Sequence, residues 1–436
     1  MWSALGGRSG LGKSVLKSGF TRVGGELHCE GVPLSRIAAA VGTPVYVYGA
    51  ATIRDRYRQL DRALSGVPHR LHYTAKANSS RAILRIVREL GSGIDVVSGG
   101  ELHRATLAGF AAKDIVFGGV GKTNAEIRQA LDAGVMLLNV ESEQELRSVD
   151  RIAGTSGTMA PIAIRVNPEV SLEATHEYIK TGERGSKFGI PYEDVADVAR
   201  AALKMKNVRL IGLDMHLGSQ LSRIEPYRLG TARLVALCRE LRVLGARDLA
   251  YLDIGGGLGV RYDTEEPPDL DAFSNAVVPL VRESGLTLIM EPGRYVVGNA
   301  GALVSKVLYR KTSGGKEYMV ADAGMTELLR PSHYGAFHRI EAVVDRPSRI
   351  TADVVGPVCE SGDFLALDRS IVDVQAEELL AVFDTGAYGY VMASNYNSRP
   401  RAAEVLVDGD RFAMVTARES YADLIRLEVD SPEWRH

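Results

Sequence analysis

From residue 70 to residue 294, short β-rich runs alternate with longer segments whose apolar positions recur every three or four residues. The runs are Arg70–Ala75, Ile94–Ser98, Ile115–Gly118, Met136–Val140, Pro161–Val166, Arg209–His216, Ala250–Ile254 and Leu286–Glu291, and each predicts a strand. Between them, Ile83, Ile86, Val87 and Leu90 share one face of a helix over Arg81–Leu90, and Leu234, Leu237, Leu241 and Leu244 do so over Thr231–Leu244. Eight strand–helix units in about 225 residues match a closed (β/α)8 TIM barrel better than an open doubly wound sheet. The open sheet stays as the alternative, since strand counts err by one or two. Beyond residue 299 the texture changes. Leu303–Tyr309, Glu317–Ala321, Ser348–Val355, Leu379–Asp384 and Glu404–Val407 are β-rich with polar turns between them, which predicts a second, mostly antiparallel β domain. The expected division is a basic leader over 1–20, a barrel over 47–298, and a β domain over 299–436 completed by a segment near 21–46 that includes Gly24–Val32.

Composition narrows the class. A chain of 436 residues exceeds one ordinary core. Its 54 acidic and 52 basic residues leave a net charge of −2, no electrostatic footprint for nucleic acid or an anionic membrane. No apolar run approaches the roughly 18 residues of a membrane span. Cys29, Cys238 and Cys359 form neither a disulfide framework nor a paired metal-ligand spacing, so a reducing compartment, the cytoplasm, is expected and no metal. The first twenty residues lack acidic groups and the long apolar stretch of a secretory signal, and read as a frayed basic leader, with a cleaved organelle presequence as the less favoured alternative. They contain Gly7-Arg8-Ser9-Gly10-Leu11-Gly12-Lys13-Ser14, a formal match to a phosphate-cradling loop. That loop works only between a core strand and a helix, and the six residues before Gly7 are no core strand, so it is read as a chance match. Gly118–Thr123 is a weaker echo and is read the same way.

The chemistry-bearing residues fall where strands end. Lys76 follows the first strand and could condense with an aldehyde, although a lone lysine is more often a solvated one. His216 ends the sixth; alone, it would more often be structural. The seventh runs into Gly255-Gly256-Gly257 and the eighth into Glu291-Pro292-Gly293-Arg294. Consecutive glycine-bearing loops after strands seven and eight favour a phosphate cup. A phosphate cup together with a strand-end lysine suggests pyridoxal 5′-phosphate as cofactor.

The motifs Tyr73-Thr74-Ala75-Lys76-Ala77-Asn78, Asp95-Val96-Val97-Ser98-Gly99-Gly100-Glu101-Leu102, Ser186-Lys187-Phe188-Gly189-Ile190 and His216-Leu217-Gly218-Ser219-Gln220 occur in order with the two glycine loops. They are followed by Arg330-Pro331-Ser332-His333-Tyr334-Gly335-Ala336, Gly356-Pro357-Val358-Cys359-Glu360-Ser361-Gly362-Asp363 and Gly386-Ala387-Tyr388-Gly389-Tyr390. From about Val45 to Asp408 the chain resembles the barrel-type, alanine-racemase-like pyridoxal phosphate decarboxylases, and within them the branch acting on meso-2,6-diaminopimelate. The resemblance implies a carboxy-lyase that releases CO2 and L-lysine. It implies that Lys76 holds the cofactor and His216 lies against its ring. Ser219, Gly256, Gly257, Gly293 and Arg294 would take the phosphate, and Glu291 would pair with the ring nitrogen. Cys359 would return a proton, and Tyr388 would border cofactor and substrate. The far end of diaminopimelate carries both a carboxylate and an ammonium: Arg294 and Arg330 suit the first, Glu360 the second, and Tyr334 adds a hydrogen bond. The resemblance further implies a homodimer with composite sites, the partner's β domain supplying Cys359, Glu360 and Tyr388. Two other readings stay open: a decarboxylase of the same fold acting on another amino acid, one tethered to a carrier protein included, and an inactive regulatory homologue.

Overall fold

Residues 19–170 and 181–434 are described by a computed structural model; the leader with Gly7–Ser14 lies outside them. Eight parallel strands close into a barrel: β1 (His69–Thr74), β2 (Gly93–Val96), β3 (Ile115–Phe117), β4 (Leu137–Val140), β5 (Ala160–Asn167), β6 (Val208–Asp214), β7 (Tyr251–Asp253) and β8 (Thr287–Met290). Each pairs with the next, and β8 returns to β1 through Leu288 opposite His69. Inside the barrel, Val116, Leu137, Ala163, Ile211 and Ile289 form a cluster with one residue from each of β3, β4, β5, β6 and β8. Helices cover the outside. Three of them start on the same local signal, Ser98–Glu101, Thr123–Glu126 and Ser142–Glu145, in which the hydroxyl accepts the N–H of the glutamate three residues on.

The second sheet is mostly antiparallel, with strands in the order Phe364–Val372, Arg349–Val355, Lys316–Ala321, Gly301–Ser313, Val45–Gly49, Ala403–Asp408 and Arg411–Thr416. Two pairs are parallel, Lys316–Ala321 with Arg349–Val355 and Val45–Gly49 with Ala403–Asp408. The expected domain boundary at 47 therefore falls inside a strand of this sheet. Phe364–Val372 went unread because Asp368-Arg369-Ser370 looks like a turn; Asp368 has a φ of 46° beside a register shift. Phe20–Val23, Glu26–Cys29 and Val32–Pro33 make a small sheet of their own. Its Phe20, Leu27 and Val32 share a core with Val45, Val304 and Phe383. Among the described residues no helix is long and apolar enough to cross a membrane.

Lys122, in the Gly118–Thr123 echo, turns out to be a strut. Its buried Nζ donates to the carbonyls of Gly119 (2.6 Å) and Asn139 (2.8 Å) and pairs with Glu145 at 2.8 Å. Truncation leaves a largely buried carboxylate uncompensated, so Lys122→Ala should lower unfolding stability by about 3–5 kcal/mol. A guanidinium-denaturation midpoint equal to wild type would refute that role.

Candidate active site

The carboxyl ends of the barrel strands open into a cavity of about 800 Å3, closed on its far side by the second domain. Lys76, two residues beyond β1, reaches it with a third of its side chain exposed (33%). Its Nζ donates to Asp95 Oδ2 of β2 at 2.8 Å, an oxygen that also accepts from Thr74 Oγ1. Burial works against the ammonium, but Asp95 and Glu291 more than offset it and hold the pKa of Lys76 above its ordinary value. At rest this amine is a charged donor to Asp95, and it must give up a proton before acting as a nucleophile.

Asp214 ends β6, Asp253 ends β7, and Glu291 follows β8, so three neighbouring strands deliver three buried carboxyls. Their oxygens lie within 4.8 Å of one another. Burial, then mutual repulsion, pushes Asp253 and Glu291 well above the usual carboxylate range. Burial raises Asp214 to about 7 even with Arg165 nearby. Asp253 accepts the Gly255 N–H at 2.9 Å, whereas Asp253 Oδ2, Glu291 Oε1 and Asp214 Oδ1 have no donor. Burial and the neighbouring carboxyls thus favour the protonated forms of Asp253 and Glu291. Arg165 of β5, against Glu141 Oε1 at 2.7 Å, also pairs with Asp214 Oδ2 at 3.9 Å.

His216 sits two residues past β6. Its Nδ1 accepts the Gly256 N–H at 3.2 Å, and burial with the charges of Lys76 and Arg165 keeps the imidazole neutral. The expected role of Gly256 in phosphate binding is thereby narrowed, since its N–H already serves His216. A Cβ at Gly256 would strike the carbonyl of Glu291, and one at Gly257 (φ 97°) the carbonyl of Gly218. The glycine turn is thus wedged between the loops after β6 and β8. Gly293 opens the short helix Arg294–Val297 where a Cβ would strike Thr74.

Arg294 and Arg330 are buried, and neither forms an ion pair among the described residues. Arg294 donates to Ser219 Oγ (2.9 Å) and to Tyr262 Oη (2.6 Å), and lies 4.8 Å over the ring of Tyr388. Arg330 lies 4.6 Å over the ring of Tyr262. Tyr334 lines the same cavity. Buried guanidiniums without counter-charges are built for an anionic ligand.

The structure corrects one placement. Tyr388 lines the cavity of its own chain. Its N–H donates to the Ala77 carbonyl at 2.8 Å, and Asn78 Nδ2 donates to the Gly386 carbonyl at 3.0 Å. These bonds fasten the Gly386–Tyr390 loop to the barrel mouth and hold Tyr388 at a φ of 56°, a left-handed conformation costing about 1–3 kcal/mol. Cys359 and Glu360, in contrast, are exposed and do not line the cavity. Asp95, Arg165, Asp214, Asp253 and Tyr262 were not singled out from sequence as site residues. For Asp214 and Asp253 the available signal was an acidic residue closing a largely apolar strand.

A reachable amine, an orphaned acceptor at Glu291 Oε1, a glycine turn and two unpaired guanidiniums are the groups that an aldehyde-bearing, phosphorylated pyridinium requires, so the residues fit pyridoxal phosphate. Residues 50–298 match the family model described as pyridoxal-dependent decarboxylase, pyridoxal binding domain. Diaminopimelate decarboxylase of Pseudomonas fluorescens is 46% identical over 416 residues, 95% of this chain and 99% of its own. That of Aquifex aeolicus is 43% identical over 409 residues, 93% and 96% of the two chains. Among solved structures, diaminopimelate decarboxylase from Helicobacter pylori complexed with L-lysine superposes with a TM-score of 0.87 at 38% identity, covering 91% of this chain and 99% of that one. The M. jannaschii enzyme in co-complex with L-lysine gives 0.90 at 34% identity over 95% and 98%.

Proposed function

Because the chain belongs to the diaminopimelate decarboxylase family of pyridoxal-dependent decarboxylases, we propose that it removes one carboxylate of meso-2,6-diaminopimelate as CO2 and yields L-lysine, the last step of lysine biosynthesis. The observation that carries this reading is the pair of buried, unpaired guanidiniums, Arg294 and Arg330, in the same cavity as Lys76. A decarboxylase for a simple diamino acid such as ornithine has no far carboxylate to place there. The test is release of lysine and CO2 from meso-diaminopimelate, with ornithine and lysine as controls. Turnover of ornithine and not of diaminopimelate would overturn it.

When bound, pyridoxal phosphate supplies a sink for the electron pair left at Cα as CO2 departs. Lys76 would hold its aldehyde carbon, and Asp95 Oδ2, 2.8 Å from Nζ, orients the amine at the cavity. Glu291 Oε1, which has no partner here, would accept from the ring nitrogen and favour its protonated form. His216, uncharged, would give the ring a flat neighbour that adds no second positive charge. Ser219, the Gly257 turn and the Gly293–Arg294 backbone would take the phosphate. The Arg294 and Arg330 guanidiniums and Tyr334 would take the far carboxylate.

Cys359 and Glu360 enter through the partner in this reading. Both are exposed in one chain, so a two-fold homodimer in which Cys359 of the partner subunit protonates the product carbon and Glu360 of the partner subunit binds the far ammonium completes each site. A cytoplasmic location keeps that thiol reduced.

Arg330→Ala should raise the KM for diaminopimelate by about ten- to a hundredfold, the scale of losing a charge-assisted hydrogen bond worth about 1.5–3 kcal/mol. Cofactor content should stay at the wild-type level. An unchanged KM would refute the carboxylate assignment.

A further inference from the structure

Arg330 is oriented by an unusual partner. A buried arginine is ordinarily held by a carboxylate, but the Nη1 of Arg330 donates to Nε2 of His338 at 2.9 Å. His338 is fully buried, and its Nδ1 lies 2.8 Å from the carbonyl oxygen of Phe383 in the second sheet. That carbonyl can only accept, so Nδ1 carries the ring proton. Arg330 can only donate, so Nε2 carries the lone pair. Both nitrogens are thus assigned by their neighbours, and the ring is neutral; burial and the Arg330 charge push its pKa down to about 3, far from any working pH. The ring is held from other sides as well, edge-on to Tyr262 at 5.4 Å, while its backbone carbonyl accepts from Arg369 at 2.7 Å. Gly335, at a φ of 60°, ends the helix Arg330–Tyr334 in a left-handed turn that lets the chain come back to Arg330.

We propose that His338 is a positioning residue for the far carboxylate of the substrate: it fixes the Arg330 guanidinium through a neutral acceptor and leaves the positive charge free for the ligand. An aspartate or glutamate there would orient Arg330 equally well, but it would cancel the charge and compete with the incoming carboxylate. A neutral acceptor orients without competing, so the site selects for a ligand with a carboxylate at its far end and against diamines. The proposal rests on the assignment of Arg330 to that carboxylate.

The test uses the holoenzyme and His338→Glu, His338→Leu and His338→Gln. His338→Glu introduces the missing counter-charge. It should raise the KM for diaminopimelate and the inhibition constant of L-lysine together by about tenfold or more, with kcat and cofactor absorbance within about twofold of wild type. The inhibition constant of 1,5-diaminopentane, which has no carboxylate, should not rise. His338→Leu, with no acceptor, should raise both carboxylate-dependent constants; His338→Gln, whose amide accepts from Arg330 and donates to Phe383, should restore them towards wild type. If His338→Glu fails to fold, the leucine and glutamine pair decides alone. An unchanged KM in both His338→Glu and His338→Leu, or equal weakening of lysine and 1,5-diaminopentane, overturns the proposal. Arg330→Ala separates the two levels. If it leaves the KM unchanged, the carboxylate assignment has failed; if it raises the KM and the His338 variants do not, only the role of His338 has failed.

Discussion

Lys76→Ala enzyme, purified with excess pyridoxal phosphate, should show no cofactor covalently trapped by borohydride and a turnover lower by on the order of 10^4-fold or more, the scale of removing a group that bonds directly to a reactant. Lys76 is the one lysine among the described residues that line the cavity, and none of the other described lysines stands in for it. The wild-type protein should yield a single reduced adduct, mapped by mass spectrometry to Lys76. Alanine also strips Asp95 of its partner, and a dead variant could therefore report a disturbed pocket. Lys76→Arg keeps a cation beside Asp95 but cannot condense with an aldehyde. It should fail in the same two assays while retaining the wild-type melting temperature. Full activity in either variant would sink the assignment of the cofactor to this residue.

The barrel was legible because parallel strands buried on both faces stand out as bounded apolar runs. The errors at their ends are informative. The runs through Ala75, Ser98, Gly118, His216, Ile254 and Glu291 extend past the last paired residues Thr74, Val96, Phe117, Asp214, Asp253 and Met290. Each overhang is chain that has left the sheet to build the cavity mouth. His216 and Glu291 in those overhangs were legible as chemistry, but their partners were not. Asp253 and Glu291 are 38 positions apart in sequence and become neighbours only because β7 pairs with β8. No periodicity encodes that closeness or the orphaned oxygens it produces. His338 illustrates the same limit: a lone histidine in a loop carries no signal until the Phe383 carbonyl and Arg330 fix its tautomer. Tyr388 was assigned to the partner together with Cys359 and Glu360 because all three lie in the carboxy-terminal β domain, and only the bonds to the Ala77 carbonyl and from the Asn78 amide show that its loop returns to the barrel.

With Tyr388 supplied within the chain, the question of a shared site narrows to Cys359 and Glu360. Both follow the strand Arg349–Val355, both are exposed, and the nearest polar groups lie on their own domain, as in the 3.4 Å contact from the Cys359 N–H to Asn397 Oδ1. A thiol that returns a proton to the product carbon must reach the cavity, and in one chain it does not line it. If a partner closes the gap, Lys76→Ala and Cys359→Ala homodimers should each be nearly inactive. Co-refolded or exchanged at equal amounts, they should regain about a quarter of wild-type activity. Random assortment of a symmetric pair makes half of the dimers mixed, and each mixed dimer has one intact site of two. The intact site joins Lys76 of the Cys359→Ala chain to Cys359 of the Lys76→Ala chain; the other site lacks both groups. Mixing differently tagged chains and isolating the doubly tagged fraction should raise recovery to about half, since every dimer then carries one good site. No recovery in that fraction would show that each chain completes its own site, with the Cys359 loop closing over its own barrel.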